Sequence, residues 1–331
     1  VTITSSTLSQ TYNGNQRVVT ASSSPSGLTI NITYAGSSTA PTNAGTYAIS
    51  AVISNANYQG SASGSLVVAK ATATITVTDL SVTYNGSSHE VTVTTNPTGL
   101  TYTVTYAGSS TAPTNAGSYA IAVTIDDINY QGTSSSETLV IGKATATVTL
   151  GTLSFTYNGS SHSTSATTNP SGLTVTITYA GGATAPTNAG TYAVSAVVSN
   201  ANYQGSASGT LTIAQATVTI TFTNSSATYN GASHSITVTT SPIGISYTIT
   251  YGGSSSAPTN AGTYNVSVTI TDPNYTGNGS TTFTINKATA SITLSDLIHT
   301  YDGNSHSATV ATSPSGLTVD VTYDGSSTCL L

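Results

Sequence analysis

Along 173–182 the chain reads LTVTITYAGG, with Leu173, Val175, Ile177 and Tyr179 on one face and threonines on the other. A period of two predicts a strand buried on one side. The stretch ATATVTL (144–150) alternates small apolar residues with threonine in the same way, and STSATT (163–168), TYAVSAVVSN (191–200) and GTLTIA (209–214) predict further strands. Between them stand turn signals: Asn158-Gly159, the NPSG of 169–172, a TAPTNAG bend, and ANYQG at 201–205. No window carries an apolar stripe at helical spacing, and β-branched residues dominate. The pattern predicts an all-β unit.

That unit recurs. The tyrosine of TYNG or TYDG falls at Tyr12, Tyr84, Tyr157, Tyr229 and Tyr301, in steps of 72, 73, 72 and 72 residues. A fixed period overrides the two-domain expectation that 331 residues would raise. The boundaries read as repeats at 1–70, 71–143, 144–215 and 216–287, with an incomplete fifth at 288–331. Consecutive repeats join through VVAKATATI, VIGKATATV, TIAQATVTI and TINKATASI, with no Gly/Ser or Pro-rich linker. A linker of zero length limits hinge motion, so the expectation is a semi-rigid rod of tandem repeats.

Composition narrows the function classes. Charged residues are 4% of the chain, and four Lys and Arg against a net charge of −6 cannot supply the phosphate-neutralising stripe of a nucleic-acid binder. Cys329 is the single cysteine, so the chain can form no internal disulfide or thiolate cluster. No run of about 20 apolar residues predicts a membrane span. His89, His162, His234 and His306, with Arg17 at the same place in the first repeat, come one per repeat and so cannot gather round one metal ion. No acid, base and nucleophile set recurs, so the reading is of a chain that is not an enzyme and needs no cofactor or metal.

In PTNAGTYAV the spacing of Asn, Gly and Tyr resembles the tyrosine corner of immunoglobulin-like sandwiches, which would make Tyr47, Tyr119, Tyr192 and Tyr264 structural corner residues. Each ring is expected to fill one end of a small core while its hydroxyl satisfies a buried backbone group. The tyrosines of NYQG and NYTG (Tyr58, Tyr130, Tyr203, Tyr275) read either as exposed rings that stack on sugars or, the favoured reading, as turn residues packed on the neighbouring repeat. Lys70, Lys143 and Lys287 mark junctions, with Gln215 at the third, and are expected to cap strand ends.

Together TYNG, APTNAGTYAV, NYQG and LTIAKATATI resemble the MBG and YDG repeats of very large bacterial surface and secreted proteins, across the whole chain. The resemblance implies a tandem stalk or adhesin-like module, extracellular and at the cell surface. For the fold it leaves tandem immunoglobulin-like β-sandwiches or small β-grasp repeats, and the missing helix favours the sandwich. The partners it implies are other copies of the chain or further repeats of a longer one, with surface glycans or proteins as ligands of a multivalent array in the alternative reading. The fifth repeat leaves the pattern at Cys329, where APTNAG should follow. It reads either as the cut end of a longer repeat protein or as a half sandwich completed by another molecule's strand, with Leu317, Val319, Val321 and Tyr323 as the assembly edge.

Overall fold

The computed structural model describes residues 1–328, the side chain of Ser135 aside, so Cys329 lies outside the described residues. These residues are almost entirely strand and turn, apart from one 3-10 turn at Ser5–Thr7. They form two compact units. One comprises Val1–Gly151 with Ser165–Ile177 and Ser195–Ser208; the other comprises Thr152–Thr164, Thr178–Val194 and the chain from Gly209 on. The division runs through the third repeat.

The second repeat lies wholly in the first unit. Its strands are β1 (Ala71–Thr72), β2 (Thr74–Thr78), β3 (Ser81–Thr83), β4 (Thr92–Asn96), β5 (Tyr102–Tyr106), β6 (Gly117–Ile125), β7 (Tyr130–Gln131) and β8 (Thr133–Gly142). A four-stranded sheet runs β5-β6-β8-β3, antiparallel except for the last pair, while β2 and β4 form an antiparallel pair. Short β1 lies parallel to β7.

Alternation explains why the two sheets face each other. In β6, Ile121, Val123 and Ile125 are buried while Ser118 and Ala120 are exposed. Val77 of β2, Tyr106 of β5, Ile121 and Val123 of β6, and Leu139 and Ile141 of β8 close into one cluster, with Ile75 and Val93 packed against it. Burying apolar surface at roughly 25 cal/mol per Å² is the main stabilising term available to a repeat without disulfides. The result is a small immunoglobulin-like β-sandwich, and the array is tandem and all-β.

The 73-residue step has a local cause. β8 has ten residues, whereas its equivalents Ser61–Ala69, Ser206–Ala214 and Asn278–Asn286 have nine. The register against β6 slips between Ile121 and Val123, so the extra residue is a bulge that leaves the core positions in phase. Glu137 lies in this strand, and the Ser134 hydroxyl that donates to it holds its carboxyl below the usual range.

The turns follow the sequence signals. Gly14, Gly86, Gly159, Gly231 and Gly303 of the Asn-Gly and Asp-Gly pairs all have positive φ. Pro25, Pro97, Pro170, Pro242 and Pro314 follow cis peptide bonds. β3 and its equivalents were not legible in the pattern, being three-residue parallel additions to the edge.

In the fifth repeat Ser291–Ser295 pairs with Thr309–Ser313. Residues 317–322 belong to no strand, and Tyr323 makes an isolated bridge to Ser326. Of the expected assembly edge only Leu317 is exposed; Val319, Val321 and Tyr323 are half-buried, and the Tyr323 hydroxyl accepts the Ala308 N–H at 2.7 Å.

Candidate functional site at the repeat junctions

The corner tyrosines sit at the start of β6 and its equivalents. Tyr47, Tyr119, Tyr192 and Tyr264 donate their hydroxyls to the carbonyls of Asn43, Asn115, Asn188 and Asn260 at 3.0, 2.9, 2.9 and 2.7 Å. Rings of Tyr47, Tyr119 and Tyr264 pack on their cores, opposite Leu66, Leu139 and Phe283 across the strand pair. The hydroxyl bond is exposed rather than buried, because the carbonyl it satisfies belongs to the surface loop that precedes the strand.

A second set of tyrosines does the buried work, and sequence reasoning missed it. Tyr34, Tyr106, Tyr179 and Tyr251 end β5 and its equivalents, and all are buried. Their hydroxyls accept the backbone N–H of Val19, Val91, Thr164 and Ile236 at 2.9, 3.1, 3.0 and 3.2 Å, fifteen residues upstream in each case. Val19 is 1% exposed, so no water can replace the hydroxyl there. Tyr34→Phe is expected to cost about 1–3 kcal/mol, the penalty of leaving a buried donor unpaired, and chemical denaturation of the chain would measure it.

At the junctions, side chains from one repeat's β7 hairpin enter the loop of the repeat before it. Asn129 accepts the Ala44 N–H at 2.8 Å through its side-chain oxygen and donates from Nδ2 to Asn43 Oδ1 at 3.3 Å. Tyr130 meets Tyr12 edge to face, with centroids 5.3 Å apart. Lys70 reaches forward and donates to the Asp127 carbonyl at 2.6 Å, while Ala71 N–H and Ala73 N–H donate to Asn129 and Gln131.

The same clamp returns twice. Asn202 accepts from Ala116 at 2.8 Å, Tyr203 meets Tyr84 at 5.4 Å, and Lys143 donates to Asn200. Asn274 accepts from Ala189 at 2.8 Å, Tyr275 meets Tyr157 at 5.2 Å, and Gln215 donates to Pro273. Lys70 and Lys143 are therefore donors to the next repeat's hairpin, and Gln215 keeps the contact because it too is a donor. Each hairpin is shaped beforehand by an Asx turn, as when Asp127 Oδ1 accepts the N–H groups of Asn129 and Tyr130. Tyr58 differs from its equivalents: it is 49% exposed and has no ring partner among the described residues.

The histidine row is local. His89, His162 and His234 donate their backbone N–H to Pro113, Pro186 and Pro258. Side chains of His234 and His306 pair with Asn230 and Asp302 four residues back, both at 2.9 Å, and His162 stacks on Phe155. Backbone and side chain of Asn304, then His306, hold the Asp302 carboxyl below its usual range. Among the described residues no group of three or more His, Cys, Asp or Glu could hold a metal ion, and no helix is long and apolar enough to cross a membrane.

The sequence profile of the MBG domain matches residues 1–72, 73–145, 146–217, 218–289 and 290–330. The chain belongs to the MBG domain family. No curated protein sequence matches it. Among solved structures the MBG array is similar to Sidekick-1 immunoglobulin domains 1–5, at 14% identity and a TM-score of 0.28 over 85% of this chain and 78% of that one. The N-terminal four Ig domains of Dscam1 isoform 6.9 match at 12% and 0.23, over 85% and 96%. Domains 1–6 of the surface layer protein SbsC match at 13% and 0.19, over 81% and 52%. Scores this low carry no weight for fold or function, and the MBG sandwich stands on its own sheet topology.

Proposed function

We propose that the chain is a non-enzymatic, extracellular structural stalk or fibre module of a bacterial surface adhesin-like protein, with repeats at 1–70, 71–143, 144–215 and 216–287 and a partial one from 288. The observation that carries this reading is the junction clamp, written three times with the same Asn, Tyr and Lys or Gln roles. A chain that uses its recurring tyrosines to brace one repeat on the next has a mechanical use for them.

Recurring aromatic side chains on a free face would instead support a multivalent binding array. The exposed Tyr102 and Tyr247 share one repeat position, but Ile30 and Val175 hold it in the first and third repeats. The near-absence of charge and the single cysteine suit a module stabilised by packing outside the cell.

Displaying a reporter domain on a bacterial surface through one, two, three or four of these repeats tests the reading. Each added repeat is expected to extend the reporter's reach, seen as stepwise access to antibodies blocked by the surface layer. Access that does not change with repeat number, or repeat-dependent binding to host glycans or proteins, would replace the stalk by the binding array.

A further inference from the structure

The four-stranded sheet of a repeat ends on a bare edge. β5 and its equivalents Ile30–Tyr34, Val175–Tyr179 and Tyr247–Tyr251 stand last in the strand order, with a neighbour on one side only. In the second repeat Asp126 N–H donates to the Thr101 carbonyl at 2.8 Å and Ala107 N–H to the Ala120 carbonyl at 2.7 Å. Antiparallel bonding alternates, so Thr103 and Thr105 bond to β6 while Tyr102, Val104 and Tyr106 turn their backbone groups away from it. The loop that follows closes Tyr106: its N–H donates to the Ser109 carbonyl at 2.7 Å, and its carbonyl accepts the Ser109 N–H at 3.0 Å. The N–H and C=O of Tyr102 and Val104 have no hydrogen-bond partner among the described residues.

The same two places are Ile30 and Ile32, Val175 and Ile177, and Tyr247 and Ile249, and in each case the next tyrosine is closed by the same loop. The second repeat has a clamped neighbour before and after it and its edge is still open, so the array itself does not cover it. Sheet edges are ordinarily kept from pairing with one another by charged residues, proline or bulges. None stands here: the strands read INITY, YTVTY, VTITY and YTITY. Between the two open residues lies Asn31, Thr103, Thr176 or Thr248, exposed and uncharged in every repeat.

We propose that this edge pairs with the same edge of a second copy of the chain, antiparallel about a two-fold axis at Thr103 and its equivalents. Tyr102 then lies opposite the second copy's Val104, and Val104 opposite its Tyr102. Both are hydrogen-bonded pairs, so every open backbone group on the two strands is satisfied at once. Thr103 meets its own counterpart in the intervening pair, where side chains come closest; two threonines there are favourable, whereas a charge would face itself. That fit selects a second copy as the occupant, because two open residues flanking one uncharged residue are their own complement about such an axis. The proposal stands on the sheet edge and does not depend on the stalk reading.

Sedimentation of the 331-residue chain across rising concentration provides the test. One variant combines Asn31→Lys, Thr103→Lys, Thr176→Lys and Thr248→Lys; a second carries Glu at the same four places. The native chain is expected to associate as its concentration rises. Like charges directly opposite weaken a strand pair by roughly up to fivefold, so either variant alone should need at least a several-fold higher concentration. An equimolar mixture of the two should associate again, because Lys then faces Glu across the axis. Control variants carry the same charges on the opposite edge of the sheet, at Ser9, Ser81, Ser154 and Ser226, which are exposed in the three-residue strands there. They should associate as the native chain does, and mixing them should change nothing. All the substituted positions are exposed, and unchanged thermal unfolding of each variant shows that folding is not what was lost. A native chain that stays monomeric at every concentration overturns the proposal. So does association that the Lys variant leaves unchanged, a mixture no stronger than its parts, or controls that behave as the edge variants do.

Discussion

Replacing Phe283 by alanine is expected to bring the fourth repeat close to unfolding at room temperature. Phe283 is 1% exposed and sits at the centre of the cluster formed with Ile236, Tyr251, Val266 and Ile285, its ring edge-on to Tyr251 at 6.2 Å. Truncating a buried Phe to Ala costs about 3–5 kcal/mol, because transfer energy is lost and a cavity remains. A repeat of 72 residues has a total stability of about 4–11 kcal/mol on the usual per-residue scale. Urea denaturation would measure the loss. Leucine provides the control, since Leu66, Leu139 and Leu211 occupy this position in the other complete repeats and are fully buried there. Phe283→Leu should cost no more than about 1.5 kcal/mol. A small loss for alanine, equal to that for leucine, would mean that Tyr251 and Val266 collapse into the gap and the core is not rigidly packed.

How much of this was legible beforehand depends on the range of each contact. Period-two alternation located the strands read at 173–182 and 191–200, which form at Val175–Tyr179 and Gly190–Val198, because a strand's two faces are a property of neighbouring residues. The Asn-Gly turns were legible for the same reason. The long strand expected over 144–150 is instead two pieces, Ala144–Thr145 and Thr147–Leu150. At Ala146 the chain changes partner, from the Tyr203 hairpin to the strand at Ala166–Asn169, and alternation does not record which neighbour a strand bonds to.

The buried tyrosines needed more than pattern. Nothing local distinguishes Tyr34 from Tyr47; what separates them is that one hydroxyl reaches a backbone N–H fifteen residues upstream and the other a carbonyl four residues back. The junction lay further out of reach still. Asn129 and Ala44 are 85 residues apart, and only the placing of one sandwich on the next brings them together. The sequence did carry one signal for it, the invariance of the Asn-Tyr pair in every hairpin of the four complete repeats, which a surface turn alone would not require.

The glycine after that pair provides the second large effect, and a graded one. A Cβ built on Gly205 would lie 2.2 Å from the Ala146 carbonyl oxygen, closer than any real contact. Neither side can yield cheaply. Gly205 carbonyl accepts the Val198 N–H at 2.9 Å, and Ala146 N–H donates to the Gln204 carbonyl at 2.7 Å, so both backbones are held in place. Gly205→Ala must therefore pry the hairpin from Ala144–Thr145, and with it shift Tyr203 off Tyr84 and Asn202 off Ala116. A loss of about 3 kcal/mol is expected, at the upper end for overpacking. The equivalent glycines predict the order. Gly132 would bring a Cβ to 2.8 Å from the Ala73 carbonyl and Gly277 to 3.2 Å from that of Val218, whereas Gly60 meets the end of the flexible Ile53 side chain at 3.2 Å. Stability measured on the four single alanine variants should fall in the order Gly205, Gly132, Gly277, Gly60, with Gly60→Ala within about 0.5 kcal/mol of the parent, as for a surface substitution. An equal loss at all four would mean that the glycine is needed for its own backbone freedom; the graded series would mean that it is there to let one backbone lie against another where the repeats are clamped together.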